Sequence, residues 1–372
     1  MRGRGSSDRS SAKTKGRIYP VFLPHLGCEF RCVYCNQHVT SRRLPFPERA
    51  DELLPMILND VHARARSAHS SGKPGEIAFY GGTFTGLPTL FMEQILDAAS
   101  QYVREGLFTG IRFSTRPDRM TSTICSVLES FPVQTVELGV QSLCEKVLLQ
   151  SRRGYGVDEV LTAAKRVRTS EWKLGFQLML GLPGEDLDCF LQTVTHTVSL
   201  RPDFVRIYPL LVLTGTTLAR WYREGLYRPL ALEDAILWSA CAYERFRDAG
   251  IQVIRMGLHP DPELTSPGNI LAGPFHPAFG YLVRVQWWRE RVDEFLQSLS
   301  VRWTGADLVL HVGDRSMGEV VGPNRRNLLY WQDRWRVGRI RVRPEKHLQQ
   351  EEFQLVPEDR DLPLFEVERT VS

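Results

Sequence analysis

The chain has 372 residues, of which 42% are hydrophobic and 24% are charged, and its formal net charge is +4. These proportions are ordinary for a globular protein and allow one large domain with a smaller one beside it. No apolar run approaches the ~20 residues that a membrane helix needs, and seven cysteines without a secretion signal disfavour a disulfide scaffold, so we expect a cytoplasmic protein.

The first 17 residues are strongly basic and rich in glycine and serine. Six of them are arginine or lysine, and Asp8 is the single acidic residue. A segment with this composition has too little apolar surface to fold, so we predict a disordered basic tail over residues 1–17. Such a tail could touch RNA, although a solvated terminus is the simpler interpretation.

Three closely spaced cysteines follow the first apolar segment in the pattern CxxxCxxC. Cys28, Cys32 and Cys35 can bind three irons of a cubane cluster, whose fourth iron would then have no protein ligand. A zinc site is the alternative, with His25 or His38 as a further ligand. The spacing favours the iron–sulfur cluster.

The other four cysteines are far apart in the sequence and form no second CxxC pair. They are Cys125, Cys144, Cys189 and Cys241. We expect no second metal site, and we interpret these residues as small, buried apolar side chains.

Apolar segments alternate with segments of helical periodicity between residues 18 and 256. The predicted strands are Ile18–Leu23, Ile77–Tyr80, Ile111–Thr115, Thr135–Gly139, Leu174–Leu180, Phe204–Tyr208 and Gln252–Met256. The predicted helices are Glu48–His69, Thr89–Arg104, Thr121–Phe131, Val157–Thr169, Asp186–Leu200 and Leu232–Asp248. This alternation is typical of βα units on a parallel sheet, and six units predict an α/β fold with a partial (βα)6 TIM-like barrel.

Chemically distinctive loops follow several of these strands. The cysteines follow the first strand; the loops after the second, third and fifth strands are Gly81-Gly82-Thr83, Arg116-Pro117-Asp118 and Gly181-Leu182-Pro183-Gly184. Ligands of α/β folds bind outside the carboxyl ends of the strands, so we expect these functional loops to lie on one rim of the barrel. His259 follows the last strand and could face a substrate, although a loop histidine with its own partners is the favoured alternative.

Residues 280–372 differ in composition, and we predict a small α+β module there. After a helix over Tyr281–Leu299, the order is strand, helix, the loop Gly322–Arg325, helix and strand. This order looks like a reduced KH module, in which a GxxG loop holds a nucleic-acid backbone, although Arg325 replaces the second glycine. The segment 315–346 has nine basic and three acidic residues, which suits phosphate contact. A module that only packs on the barrel is the alternative.

The barrel would then occupy residues 18–279. Its last part, residues 261–277, is rich in proline and glycine, and we predict that this segment is a lid over the barrel mouth.

Together the motifs resemble the radical S-adenosylmethionine (SAM) superfamily over roughly residues 18–260. The three cysteines match its cluster motif, Tyr34 stands at its aromatic position, and the glycine loop resembles its SAM-binding glycine motif. The resemblance implies a [4Fe–4S] cluster on Cys28, Cys32 and Cys35, with SAM as the ligand of the fourth iron. It implies further SAM contacts, namely the backbone of Gly81, Gly82 and Thr83 on the amino group, Ser114 and Gln141 beside SAM, and Arg153 on the carboxylate.

Further motifs are similar to the catalytic subunit of Elongator and its bacterial relatives and, more distantly, to the oxygen-independent coproporphyrinogen III oxidases. They are Ser114-Thr115-Arg116-Pro117-Asp118, Gly139-Val140-Gln141-Ser142, Arg153-Gly154-Tyr155, the loop Gly181–Gly184 and Arg206-Ile207-Tyr208-Pro209-Leu210. Ser114 stands where these families usually have glutamate, and Gln177 where aspartate or histidine is common. The acetyltransferase domain of the Elongator subunit has no counterpart of that length here, so acetyl transfer is not expected.

The resemblance implies a radical SAM enzyme that cleaves SAM to a 5′-deoxyadenosyl radical and takes its electron from a flavodoxin or ferredoxin. We predict that it modifies RNA, with tRNA as the leading substrate, and that the C-terminal module contacts the RNA. The alternatives are an oxidoreductase for a small molecule and a non-catalytic iron–sulfur protein that binds RNA or senses redox state. No membrane partner is expected, and no catalytic side chain is assigned.

Overall fold

The computed structural model describes residues 16–29, 31–40, 50–298 and 304–358 of the chain. The predicted basic tail lies almost wholly outside this part, since only Gly16 and Arg17 of it are described, and Arg17 begins the first strand. None of the helices that the structure describes is long and apolar enough to cross a membrane.

Twelve strands are found in the described ranges. They are β1 (Arg17–Phe22), β2 (Gly75–Tyr80), β3 (Phe108–Thr115), β4 (Val133–Gln141), β5 (Lys173–Leu180), β6 (Phe204–Pro209), β7 (Val212–Leu213), β8 (Gln252–Met256), β9 (Ile270–Ala272), β10 (Leu308–Val312), β11 (Ile340–Pro344) and β12 (Phe353–Pro357). Seven of them form one sheet in the order β1-β2-β3-β4-β5-β6-β8, and every neighbouring pair is parallel. Within the described residues the edge strands β1 and β8 do not pair, so the sheet is a partial barrel, which confirms the predicted fold class.

Thirteen α-helices accompany these strands in the same part of the chain. They are α1 (Gln37–Thr40), α2 (Ala50–Ser71), α3 (Thr89–Arg104), α4 (Ser122–Leu128), α5 (Glu145–Gln150), α6 (Val157–Thr169), α7 (Leu187–Leu200), α8 (Thr217–Arg223), α9 (Leu232–Asp248), α10 (Pro262–Thr265), α11 (Phe279–Ser298), α12 (Met317–Val321) and α13 (Arg326–Trp335). The six helices predicted for the barrel are all present. The sequence prediction misses α1, α5, α8 and α10, each of which has seven residues or fewer.

Stacked aromatic rings fix the glycine loop against the sheet. Phe84 follows that loop, and its ring lies 5.0 Å from the ring of Phe79 on β2 and 5.0 Å from the ring of Phe113 on β3. All three side chains are buried. Such offset stacking adds to the stability that burial provides, so the loop after β2 has a rigid support.

The predicted lid segment contains α10 and β9. Strand β9 pairs with β7 in an antiparallel ladder beside the main sheet, so part of this segment is tied to the chain that follows β6. Its role as a lid stays a prediction.

The C-terminal module contains a three-stranded sheet with β10 in the middle. Strand β10 is parallel to β11 and antiparallel to β12, and helices α12 and α13 lie between β10 and β11 in the chain. The predicted order of strand, helix, loop, helix and strand is confirmed. The sequence prediction omits β12, although buried Leu355 and Pro357 alternate there with less buried residues. The likeness to a KH module stays a prediction.

Helix α11 packs on both the barrel and the module. The Trp287 ring meets Tyr243 of α9 edge to face, with ring centres 5.5 Å apart. On the other side, Trp331 of α13 donates a hydrogen bond to the carbonyl oxygen of Arg289 at 3.1 Å. The helix therefore contacts both parts of the chain.

Candidate active site

The cysteine loop after β1 folds directly against the glycine loop after β2. The Leu23 N–H donates to the carbonyl of Tyr80 at 2.7 Å, and the Thr83 N–H donates to the carbonyl of Leu26 at 2.8 Å. A Cβ at Gly82 would overlap the carbonyl oxygens of Leu23 and Leu26. Close packing of the two loops therefore requires glycine at this position.

Nine residues that the sequence singles out line one cavity of about 160 Å³. They are Cys28, Cys32, Cys35, Gly81, Gly82, Thr83, Ser114, Gln141 and Arg153. They come from five separate segments of the chain, so the fold brings them together at the carboxyl ends of the first four strands. The loop after the fifth strand also follows the carboxyl end of its strand, but Pro183 and Gly184 line a separate depression with Trp221 and Tyr227.

Each thiol of the cavity has a different environment. The Cys28 sulfur lies 3.2 Å from the hydroxyl of Thr83, and Arg153 Nη1 donates to the Cys32 sulfur at 2.8 Å. Burial, together with the neighbouring Cys32 and Cys28, raises the pKa of Cys35 to about 12. Cys35 therefore needs a bound cation before its thiol can ionise at neutral pH.

The three thiols surround the cavity instead of meeting at one point. Among the described residues, no three His, Cys, Asp or Glu side chains are placed to bind a single metal ion. His25 Nε2 accepts a hydrogen bond from the Gln37 N–H at 3.0 Å, and the side chain of His38 lies outside the described part. A structural zinc ion takes four converging ligands, whereas a cluster is held by thiolates on several irons. The geometry favours a cluster.

Arg153 is buried beside the cysteine loop and is not a surface charge. Its guanidinium donates to the Cys32 sulfur, to the carbonyl of Gly139 at 2.7 Å and to the hydroxyl of Tyr155 at 2.9 Å. The hydroxyl of Tyr34 lies 3.2 Å from the same guanidinium. A carboxylate that binds Arg153 must therefore replace one of these acceptors.

Family comparisons match most of the chain. Residues 22–196 match the radical SAM superfamily, and residues 202–289 match the radical SAM C-terminal domain. The chain belongs to the radical SAM superfamily. As a radical SAM protein it is an enzyme, and its cofactors are a [4Fe–4S] cluster and SAM.

Curated relatives of this radical SAM protein include two that act on tRNA or belong to Elongator by name. An uncharacterized protein of Methanocaldococcus jannaschii is 28% identical over 65% of this chain and 71% of its own length. The tRNA uridine(34) acetyltransferase of Methanocaldococcus infernus is 27% identical over 58% of this chain and 46% of its own length. Human Elongator complex protein 3 is 26% identical over 43% of this chain and 33% of its own length. The chain thus spans less than half of the two relatives with named functions.

A solved structure supports the fold of the radical SAM barrel. The archaeal Elp3 of Methanocaldococcus infernus superposes with a TM-score of 0.54 and 21% identity, over 77% of this chain and 64% of that one. At this identity the likeness concerns the fold alone.

The residues present fit the two cofactors of the family. Three thiols in one cavity can bind three irons, and the glycine loop lies in the same cavity without side chains to obstruct a ligand. The assignment of single residues to the cluster or to SAM remains a proposal.

A second, larger cavity of about 480 Å³ adjoins the cysteine cavity. The two share lining residues, among them Cys35, Gly81, Ser114 and Gln141. The larger cavity, which we call the chamber, has apolar walls from β1 and from the segment after β6. His259, for which the sequence favoured a loop histidine with its own partners, is among the lining residues.

The floor of the chamber rests on a buried carboxylate in the sheet. Glu137 of β4 is fully buried and accepts hydrogen bonds from Arg112 at 2.9 Å, Arg206 at 2.8 Å, Tyr80 at 2.8 Å and Gln177 at 3.0 Å. The sequence analysis misses this network. Charged residues within the predicted buried strands could have indicated this network, because a buried charged side chain must have a partner.

The interpretation of the remaining cysteines as small buried residues is wrong for three of them, because Cys144, Cys189 and Cys241 are only partly buried. The sulfurs of Cys144 and Cys189 lie 3.5 Å apart, and both side chains are only partly buried. Cys125 is buried as expected.

Replacing Gly82 by alanine should separate the cysteine loop from the glycine loop. The new methyl group would overlap backbone oxygens, which side-chain rotation cannot relieve, so we expect a loss of about 1–3 kcal/mol in the free energy of unfolding. SAM affinity, measured by equilibrium dialysis, should fall with it. Gly318→Ala is the matched control, because nothing lies within 4 Å of a Cβ there. Equal stability and affinity in the two variants would contradict the requirement for glycine at position 82.

Proposed function

We propose that this protein cleaves SAM reductively, generates the 5′-deoxyadenosyl radical and uses it to modify tRNA in the cytoplasm. The observation that carries the proposal is the single cavity shared by three cysteines, the glycine loop and Arg153, which adjoins the chamber. When bound, the cluster supplies one electron to the sulfonium of SAM. The choice of tRNA is supported by the name of the archaeal relative.

The proposed roles of the residues are those that the family resemblance implies, and their positions around one cavity support them. Cys28, Cys32 and Cys35 each bind one iron. The backbone of the glycine loop holds the amino group of SAM, because a ligand can approach a backbone that has no side chains. Ser114 and Gln141 line SAM, and Arg153 fixes Cys32 and presents its charge to the SAM carboxylate.

The test is an anaerobic SAM-cleavage assay on the reconstituted protein. We expect 5′-deoxyadenosine to be released with a chemical reductant, and also with a flavodoxin or ferredoxin system, which is the proposed donor. Addition of total tRNA followed by nucleoside analysis should show a new modified nucleoside. Protein that retains its cluster and releases no 5′-deoxyadenosine would overturn the proposal.

The apolar chamber favours a second candidate, an oxidoreductase that acts on a small molecule. Its walls include Ile18, Phe22, Met179, Leu211 and Leu258, which suit an apolar ligand better than a phosphate backbone. Turnover that is stimulated by a small-molecule extract but not by tRNA would identify this second function.

We propose that RNA also contacts the loop between α12 and α13. Asn324 and Arg325 have φ of 51° and 60°, and Arg325 and Arg326 are exposed on this turn. A left-handed backbone conformation at two consecutive non-glycine residues is unusual, and it persists where the surrounding structure holds it in place. The basic segment 315–346 supplies a phosphate-binding charge around the turn.

Reversing the charge of this loop should weaken tRNA binding. For Arg325→Glu combined with Arg326→Glu, we expect a shallower slope of the logarithm of the binding constant against the logarithm of the salt concentration. The decrease should correspond to the loss of about two phosphate contacts. Filter binding at several salt concentrations measures this slope. The control is Lys165→Glu combined with Lys173→Glu, which reverses two exposed charges on the barrel. If both double variants change the slope equally, the module has no specific role in binding.

A further inference from the structure

Cys144 and Cys189 form a pair of thiols that neither the cluster nor the chamber uses. Cys144 lies directly before α5, and Cys189 lies in the first turn of α7. Their sulfurs are 3.5 Å apart, although 45 positions separate them in the chain. Both side chains are partly exposed, so a small reagent can reach them.

Only a small movement separates these sulfurs from a covalent bond. A disulfide has its sulfurs about 2.05 Å apart, so the pair must close by about 1.5 Å. The free cysteines Cys125 and Cys241 lie elsewhere, on α4 and α9. The fold therefore pairs two particular thiols out of the four outside the cluster motif.

The segment before Cys144 leads directly to the SAM cavity. Ser142 Oγ accepts the Cys144 N–H at 3.3 Å and lies 3.2 Å from Thr193 Oγ1 on α7. The Leu143 N–H donates to the same Thr193 hydroxyl at 3.0 Å. Gln141, three residues before Cys144, has φ of 66° and lines the cavity. A shift of Cys144 toward α7 would therefore act on the position of Gln141.

The segment after Cys144 leads to the cysteine loop. Helix α5 ends at Gln150, and the next residue, Ser151, accepts a hydrogen bond from the Val33 N–H at 3.3 Å. Two residues further on, Arg153 donates to the Cys32 sulfur. Cys144 is thus connected to two sides of the cavity. The residues before it lead to Gln141, and α5 after it leads to Arg153 and the cysteine loop.

We propose that Cys144 and Cys189 are a modification site, where a low-molecular-weight disulfide of the glutathione type closes them into a reversible disulfide that weakens SAM binding. This inference rests on the proposed function, because SAM is the ligand whose affinity the disulfide would lower. The site is chemically separate from the cluster, so it can be tested by itself.

The reaction is a balanced thiol–disulfide exchange. Cys144 attacks one sulfur of the small disulfide and releases one small thiol, which leaves a mixed disulfide on Cys144. Cys189 then attacks the Cys144 sulfur, loses its proton to solvent and releases the second small thiol. Two protein thiols are oxidised, and one small disulfide is reduced to two thiols.

The environment of Cys189 supports this order of attack. Its hydrogen bond with Cys144, with added contributions from desolvation and from Asp186, raises the pKa of Cys189 to about 11. Cys189 is therefore a poor first nucleophile at neutral pH. A neutral second thiol makes closure slow but does not prevent it.

The test measures the disulfide and SAM binding separately. Cluster-loaded protein is equilibrated without oxygen in glutathione buffers from fully reduced to fully oxidised, and free thiols are then alkylated. Cleavage after glutamate separates Cys144 from Cys125, because Glu129 and Glu137 lie between them, so mass spectrometry can identify the linked peptides. Binding of radiolabelled SAM by ultrafiltration needs no strong reductant that would break the bond.

We expect the linked Cys144–Cys189 peptides at the oxidised end and SAM affinity about fivefold or more weaker there. Linkage requires the reciprocal effect, so saturating SAM should raise the midpoint potential of the pair by about 20 mV for a fivefold coupling. Cys144→Ser and Cys189→Ser should each bind SAM like the reduced wild type at every potential. Cys241→Ser should behave like the wild type.

Two outcomes would overturn the inference. One is the absence of the linked peptides across the whole series in wild-type protein. The other is a linked peptide with unchanged SAM affinity. Protein that forms the link but binds no SAM in either state would instead contradict the proposed function, which keeps the two failures distinguishable.

Discussion

Cys32→Ala should reduce SAM cleavage to the level of a control without enzyme. The substitution removes one of the three thiols that line the cysteine cavity, and it also takes an acceptor from the buried guanidinium of Arg153. A buried charge that loses a hydrogen-bond partner destabilises the folded protein. A solvent molecule that replaced the thiolate on the iron would therefore not restore the surroundings of Arg153. Visible absorbance of the reconstituted cluster and 5′-deoxyadenosine release both measure the effect.

Cys241→Ser serves as the matched control for this change. Cys241 lies on α9 and does not line the cavity or the chamber, so the variant should keep both the absorbance and the cleavage. A Cys32→Ala protein that retains wild-type cleavage would show that another residue binds the third iron, and the assignment of the CxxxCxxC motif would then be wrong.

Glu137→Gln should destabilise the barrel strongly. The carboxylate is fully buried between Arg112 and Arg206, and the neutral amide would leave Arg206 without this counter-charge and Arg112 with Glu76 as its remaining carboxylate partner. Removal of one partner from a buried ion pair costs about 3–5 kcal/mol. Urea unfolding followed by circular dichroism gives the free energy. Glu224→Gln changes an exposed carboxylate and should stay within about 0.5 kcal/mol of the wild type.

The cost of Glu137→Gln should depend on pH. Burial alone would raise the pKa of Glu137, but Arg206 and Arg112 hold it below its ordinary value. A lowered pKa in the folded state means that this stabilisation is present above the unfolded-state pKa and is lost as pH falls through the folded-state pKa. The difference between wild type and variant should therefore be largest near neutral pH and shrink in acid. A difference that grows as pH falls would contradict this assignment.

The sequence predicts the parts of the site that depend on local spacing. The three cysteines lie within eight residues, and Gly81 and Gly82 directly follow a predicted strand. Parallel strands then place these loops at one edge, so the cavity could be expected before its geometry was known. The loop Gly181–Gly184 lies at the same edge but outside the cavity, because the carboxyl edge of seven strands is wider than one cavity.

The parts that the sequence does not predict depend on distant partners. Glu137 and Arg206 are 69 positions apart, and Cys144 and Cys189 are 45 positions apart. The spacing of the strands in the sequence does not predict which buried charged side chains form ion pairs, because these contacts depend on strand register and on the twist of the sheet. Arg153 is the same kind of case, because its contact with Cys32 requires the turn after α5 to fold back on the cysteine loop.

Helix α11 makes the melting behaviour of the barrel sensitive to events in the C-terminal module. Buried side chains of both parts belong to one continuous hydrophobic core, in which Trp287 and Trp288 meet residues of each. We therefore expect the two parts to unfold together, and a ligand that binds only the folded form raises the midpoint of such a transition. An oligonucleotide that binds the module would therefore protect the barrel from thermal unfolding and from proteolysis, although it would not contact the barrel itself.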